Sequence, residues 1–295
     1  MESLKNELSL SIRARYPLIY LLSWEEDRAL DLLEEIGEST GKELVVWTQT
    51  VGFSPAPGGG ANALQPKEAL QAIAKSRKKA IYVLKDFHFF LEDHEVIRHL
   101  RDLVAQLKRS YKTIVLVSPV MKIPPELEKD ISVFDLPLPT PKELEQVLKE
   151  LLAPYKSSGK VEVDLSAELV EKVVQATTGL TQSEAENVYA KALISNRNFN
   201  ESDLPLIIEE KKQLIRKSGI LDFIGLSTQM GIVGGLDLLK GWLRQRSRAF
   251  STRARKYGLP EPKGLLMVGV QGCGKSLAAK AIATEWNLPL LRMDV

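Results

Sequence analysis

The chain has 295 residues, of which 44% are hydrophobic and 26% charged, with a formal net charge of +2. That is the composition of an ordinary globular protein long enough for two domains, and it offers no global electrostatic case for nucleic acid or an anionic membrane. No apolar run approaches the ~20 residues of a membrane helix, and the lone Cys273 excludes an intrachain disulfide and suits a reducing compartment such as the cytosol.

Met1 to Tyr16 mixes acids and bases and lacks a signal-peptide core. Residues 17–24 (PLIYLLSW) read as a buried strand. A helix follows over 25–36, with Leu30, Leu33 and Ile36 on one face. Strand 43–47 comes next, then a Pro/Gly-rich loop over 52–66 with Gly58, Gly59 and Gly60 at its tip. Residues 67–79 read as helix, 80–86 as strand, 96–107 as helix, and 113–118 and 131–136 as strands. Apolar strands alternating with helices predict an α/β fold, a parallel sheet covered on both faces. After Pro141 only amphipathic helices follow, at 142–152, 167–177 and 181–194, and Thr181 with Glu184 forms a capping box. Residues 196–231 read as a connector of mixed charge and weak period. A second α/β unit begins at Ile232.

That second unit carries the most specific signal in the chain. Gly269-Val270-Gln271-Gly272-Cys273-Gly274-Lys275-Ser276 matches the phosphate-binding pattern GxxxxGK[ST]. An apolar strand over 265–268 is predicted before it and a helix over 276–286 after it. Glycines let main-chain N–H groups turn inward around a triphosphate, and a helix N-terminus adds partial positive charge there. Lys275 is expected to reach the β- and γ-phosphates of ATP, Ser276 to coordinate Mg²⁺, and Cys273 and Leu277 to complete the cradle.

Ile232-Val233-Gly234-Gly235-Leu236-Asp237, followed by a basic helix and the apolar run into this loop, resembles the AAA+ ATPases. The resemblance implies that Val233, Gly234 and Gly235 lie beside adenine. Residues 277–283 look like that family's first core helix, and 288–295 like the start of its next core strand. The first two thirds resembles the AAA proteins of cyanobacteria and red-algal plastids, through Tyr16-Pro17-Leu18-Ile19-Tyr20-Leu21 with Trp24-Glu25-Glu26, and through Val83-Leu84-Lys85-Asp86-Phe87-His88. The implied organisation is a degenerate AAA+-like α/β domain (1–140), a helical lid (141–195), a linker (196–231) and the opening part of a P-loop AAA+ domain (232–295). A plastid stroma then joins the cytosol as an expected location. The complete family is expected to hydrolyse ATP and remodel a protein client in a self-associated ring, with a regulatory link to photosynthetic metabolism. No membrane partner is implied.

Two departures limit what is carried over. The acidic, water-activating, sensor and arginine-finger residues of the family follow the phosphate loop, and one helix and one strand after Ser276 do not supply them. No catalytic residue is therefore assigned. In the first unit, Ser23-Trp24-Glu25-Glu26-Asp27 stands where a phosphate loop would be, and three carboxylates repel a triphosphate. Asp86 reads as a metal ligand or a solvated strand-end carboxylate. Cys273 reads as a redox gate or a small side chain that fits. His88, His94 and His99 do not stack on one helix face and read as surface or capping residues rather than a metal site. The basic run Lys240, Arg244, Arg246, Arg248, Arg253, Arg255 and Lys256 reads as a solvated helix or a contact for nucleic acid or an acidic partner. Two other functions therefore stay open: a non-enzymatic assembly module built on the first unit, and a nucleic-acid-handling ATPase.

Overall fold

A computed structural model describes residues 1–55, 63–158, 162–163, 166–196, 198–217, 221–224, 230–247, 249, 254, 257–260, 262–286 and 290–293. The chain divides into two compact units, Met1–Asn198 and Phe199–Val295.

The first unit is built on a six-stranded sheet. Its strands are β1 (Leu18–Leu22), β2 (Glu43–Thr48), β3 (Gly52–Ser54), β4 (Ala80–Lys85), β5 (Thr113–Ser118) and β6 (Ile131–Asp135), in the spatial order β3-β2-β4-β5-β1-β6. All neighbours pair in parallel except β3, which returns antiparallel to β2. Side chains alternate across the sheet because the strand period is two. Tyr20, Val45, Trp47, Tyr82, Leu84 and Leu116 face one core with α3 (Pro66–Lys75) and α4 (His94–Leu107). Ile19, Leu21, Ile81, Val83, Val115 and Val117 face the other, against α1 (Glu2–Arg13) and α2 (Glu26–Thr40). The α/β class expected from the apolar strands is the class observed.

Beyond the sheet, α5 (Pro141–Ser158) packs against α6 (Ala167–Thr177) and α7 (Gln182–Asn196). The capping box is present: Thr181 N–H donates to Glu184 at 2.9 Å, and Glu184 N–H donates to the Thr181 hydroxyl at 3.2 Å.

Several expectations change. Residues 2–13 form α1, with Leu8 and Ile12 fully buried. The loop over 52–66 begins with β3, while Gly58–Gly60 lie outside the described residues. Helix α3 ends at Lys75, not at 79. Ser76 turns extended, and its hydroxyl accepts from Lys78 N–H at 3.2 Å and from the Tyr82 hydroxyl at 2.7 Å.

In the second unit, the supposed connector contains α8 (Leu204–Lys217) and β7 (Leu221–Ile224). The one-turn 3₁₀ helix Glu201–Asp203 just before α8 carries a capping box: Asn200 N–H donates to Asp203 at 2.9 Å, and the Asn200 side chain accepts from Ser202 N–H. Strand β7 pairs antiparallel with β8 (Leu290–Met293). Helices α9 (Asp237–Ser247) and α10 (Lys275–Glu285) complete the regular elements used below. The apolar run 265–268 is not a strand: Leu266 and Val268 are exposed, and no strand pairs with them among the described residues. Strand geometry needs ladder partners for its N–H and C=O groups, and apolar sequence alone does not provide them.

Candidate phosphate loop and its counterpart in the first unit

The loop 269–274 runs into α10 through two glycines in the left-handed region, Gly272 at φ 86° and Gly274 at φ 84°. Side-chain-bearing residues are strained by roughly 1–2 kcal/mol at such angles, so the pattern's glycines are required by backbone shape. Gly269 lies against the Cys273 side chain. A Cβ there would lie 2.6 Å from Cys273 Sγ. The turn is closed by Cys273 N–H donating to Val270 O at 3.3 Å, and the helix opens with Ala278 N–H donating to Gly274 O at 2.9 Å.

Lys275 is the first residue of α10. Its ammonium folds back on the loop and donates to Gly269 O and Val270 O, both at 2.8 Å, with Cys273 Sγ at 3.8 Å. Ser276 and Leu277 follow in the first helical turn, and both are exposed. The first N–H groups of a helix have no intrahelical acceptor, which leaves this turn free to bind an anion.

The glycine pair expected beside adenine belongs to the same small core as α10. Val233 is buried with Met230, Leu243, Ala281 and Ile282, while Gly234 and Gly235 are exposed and Gly235 sits at φ 66°. Lys240 donates to Val233 O at 2.6 Å, so the first cation of the basic helix holds backbone. Arg244 and Arg246 are exposed, with Arg246 5.4 Å from the Trp242 ring centre, whereas Arg248, Arg253, Arg255 and Lys256 lie outside the described residues.

The equivalent corner of the first unit, between β1 and α2, is built differently. The Glu25 side chain is only 8% exposed, ion-paired to Arg28, and accepts Gln182 N–H at 2.6 Å. Its own N–H donates to the Ser23 hydroxyl at 2.8 Å, and Arg28 also donates to Pro137 O at 3.0 Å. Glu26 takes Lys85 at 2.8 Å. The corner is thus occupied by its own ion pair and tied to the start of α7, instead of presenting three solvated carboxylates. A cavity of about 580 Å³ remains beside it, lined by Trp24, Asp27, Asp31, Gln182 and Glu186 among others.

Next to this corner, at the end of β4, Asp86 is half exposed, at φ 53°, with its carboxylate 3.8 Å from His88 Nδ1. His88 is buried, against expectation, because its Nδ1 pairs with the Ser118 hydroxyl at 3.0 Å. His94 and His99 are exposed, and no group of three or more His, Cys, Asp or Glu side chains is poised for a metal among the described residues. Sequence reasoning missed the Glu25–Arg28 pair. Its spacing of three was legible, but the Gln182 contact joins residues 157 apart.

Three family descriptions match in chain order. The SpoVK-like AAA ATPase N-terminal domain covers residues 4–136, its second domain covers 142–218, and the ATPase family associated with various cellular activities covers 265–295. The chain belongs to the AAA family. Its AAA relatives include the uncharacterized AAA domain-containing protein ycf46 of Guillardia theta, 39% identical over 99% of this chain and 58% of that protein. The protein of the same name from Pyropia yezoensis is 37% identical over 98% of this chain and 58% of its own length. The chain therefore spans a little over half of these curated relatives. Caenorhabditis elegans PCH-2 shares the fold at a TM-score of 0.51 and 12% identity, over 73% of this chain and 68% of that one. No helix among the described residues is long and apolar enough to cross a membrane.

Proposed function

We propose that this chain binds ATP with Mg²⁺ at Gly269, Gly272, Cys273, Gly274, Lys275, Ser276 and Leu277. The reading is carried by two left-handed glycines feeding directly into a helix whose first residues are Lys275 and Ser276. The residues fit the ligand. Main-chain N–H groups and the helix dipole favour phosphate, the Lys275 ammonium exchanges two neutral carbonyls for phosphoryl oxygens, and the exposed Ser276 hydroxyl suits Mg²⁺. The metal, when bound, screens phosphate charge. Val233, Gly234 and Gly235 are assigned to the adenine side, since their segment packs on the helix that begins at Lys275.

Hydrolysis of ATP in a self-associated ring that remodels a protein client is the wider activity we propose, and the AAA relatives support it. A regulatory part in photosynthetic metabolism, in stroma or cytosol, is the role proposed with it. Phosphoryl transfer needs groups that position the nucleophile and stabilise charge, beyond a phosphate cradle. The first unit is read as a non-catalytic partner domain, because its corner is filled by Glu25 and Arg28.

Calorimetric titration with MgATP tests the site. Equal heat is expected from the chain and from Arg244→Ala, and binding weakened about 100-fold from Lys275→Ala. A silent titration of the folded chain overturns the reading.

A further inference from the structure

A net charge of +2 conceals a strongly uneven distribution in the first unit. Three segments lead into the amino-terminal ends of strands: 13–16 (RARY) before β1, 75–79 (KSRKK) before β4, and 108–112 (KRSYK) before β5. Together they hold nine Lys and Arg and no Asp or Glu. They are separated by tens of residues in sequence. The sheet order β4-β5-β1 sets them side by side, and the register Ile81↔Thr113 and Leu18↔Ile114 aligns their ends. At the ~4.8 Å spacing of neighbouring strands, the three lie within about 10 Å of one another.

The local structure keeps these charges available. The neighbouring carboxylates Glu43 and Asp130 are taken by Lys78 and Lys108, at 2.9 Å and 2.8 Å. Arg13, Lys75, Arg77 and Arg109 are exposed and have no carboxylate partner among the described residues. Two tyrosines stand among the cations, Tyr16 at 47% and Tyr111 at 52% exposure. Arg15 is held at φ 62° with its guanidinium 4.5 Å from the Tyr111 ring centre, and the Lys79 ammonium is 5.0 Å from the same ring. Burial, helped by the charge of Arg15, holds the nearby Lys42 below its ordinary pKa.

We propose that this amino-terminal edge binds single-stranded nucleic acid, with Arg13, Arg15, Arg77, Lys79 and Arg109 along the phosphates and Tyr111 and Tyr16 offered to unstacked bases. Clustered cations supply affinity through counterion release, and exposed aromatics among them add stacking that every base can use. An acidic protein or an anionic lipid surface would use the cations and leave the tyrosines without a role. The assignment is independent of ATP binding and of the basic helix α9.

The test is fluorescence anisotropy of labelled 12-nucleotide oligo(dT) and oligo(U) with the full chain, from 50 to 200 mM NaCl. Binding that weakens steeply with salt is expected, and a preference between the two probes distinguishes DNA from RNA. Arg77→Glu with Arg109→Glu should weaken it at least tenfold and flatten the salt slope. Tyr111→Leu should weaken it about fivefold or more at an unchanged slope, the effect of one lost base stack. Arg244→Glu with Arg246→Glu on α9, and Lys275→Ala in the loop, should leave it unchanged. Absence of binding at 50 mM NaCl overturns the proposal, as does dependence on α9 alone. Equal competition by polyphosphate together with an inert Tyr111→Leu also overturns it, in favour of an acidic protein or lipid.

Discussion

Two turns of this chain lead into a helix, one before α2 and one before α10, and they are built with opposite chemistry. At β1–α2, the turn is filled by a buried carboxylate that binds Arg28 and the first N–H of α7. At the loop before α10, the turn is glycine, and the only ion is a lysine resting on two carbonyls of its own backbone. The first corner is finished without a ligand. The second holds its cation against weak, neutral acceptors that a phosphate outcompetes. A turn of this kind is therefore held in shape either by glycines or by a paired carboxylate.

Breaking each corner should separate these roles. The largest effect belongs to Arg28→Met, which strands the Glu25 carboxylate in a buried site. The first unit should lose about 3–5 kcal/mol in urea denaturation. MgATP affinity in the second unit should stay within twofold, and a shared loss would dissolve the contrast. Glu25→Gln with Arg28→Met should restore much of that stability, because an unpaired charge costs more than a missing pair. In the other corner, Lys275→Ala should weaken MgATP about 100-fold, which corresponds to about 2.7 kcal/mol, while thermal melting hardly moves. Gly274→Ala comes next: φ 84° costs a side-chain-bearing residue about 1–2 kcal/mol, and calorimetry should show weaker nucleotide binding than in the parent chain. The smallest effect is Thr181→Ala, which removes one half of the α7 cap for about 1 kcal/mol and loosens only the first unit.

What the sequence made legible follows from the range of the forces involved. Strands β1, β4 and β5 are near-continuous apolar runs and could be read directly, as could the capping box at Thr181, since each signal lies within a few residues. Helix α1 was there to be read from Leu4, Leu8 and Ile12 at a spacing of four, but its mixed charges drew attention away from that stripe. Strand β3 is three residues long, too short to show a period. The run 265–268 misled for the opposite reason: its composition suits a strand, while a strand exists only with a neighbour. Both the Glu25–Gln182 contact and the basic edge are products of topology. Their parts sit far apart in sequence, and only the sheet order joins them.

The thiol packed against Gly269 gives the loop a chemical reporter. Cys273 is the single cysteine of the chain and is exposed. Its sulfur already fills the space beside residue 269. An adduct there adds bulk at the rim of the turn. A maleimide should label one position and slow down when the turn is occupied. The rate of a simple alkylation would thus count how many molecules in a sample have their turn filled.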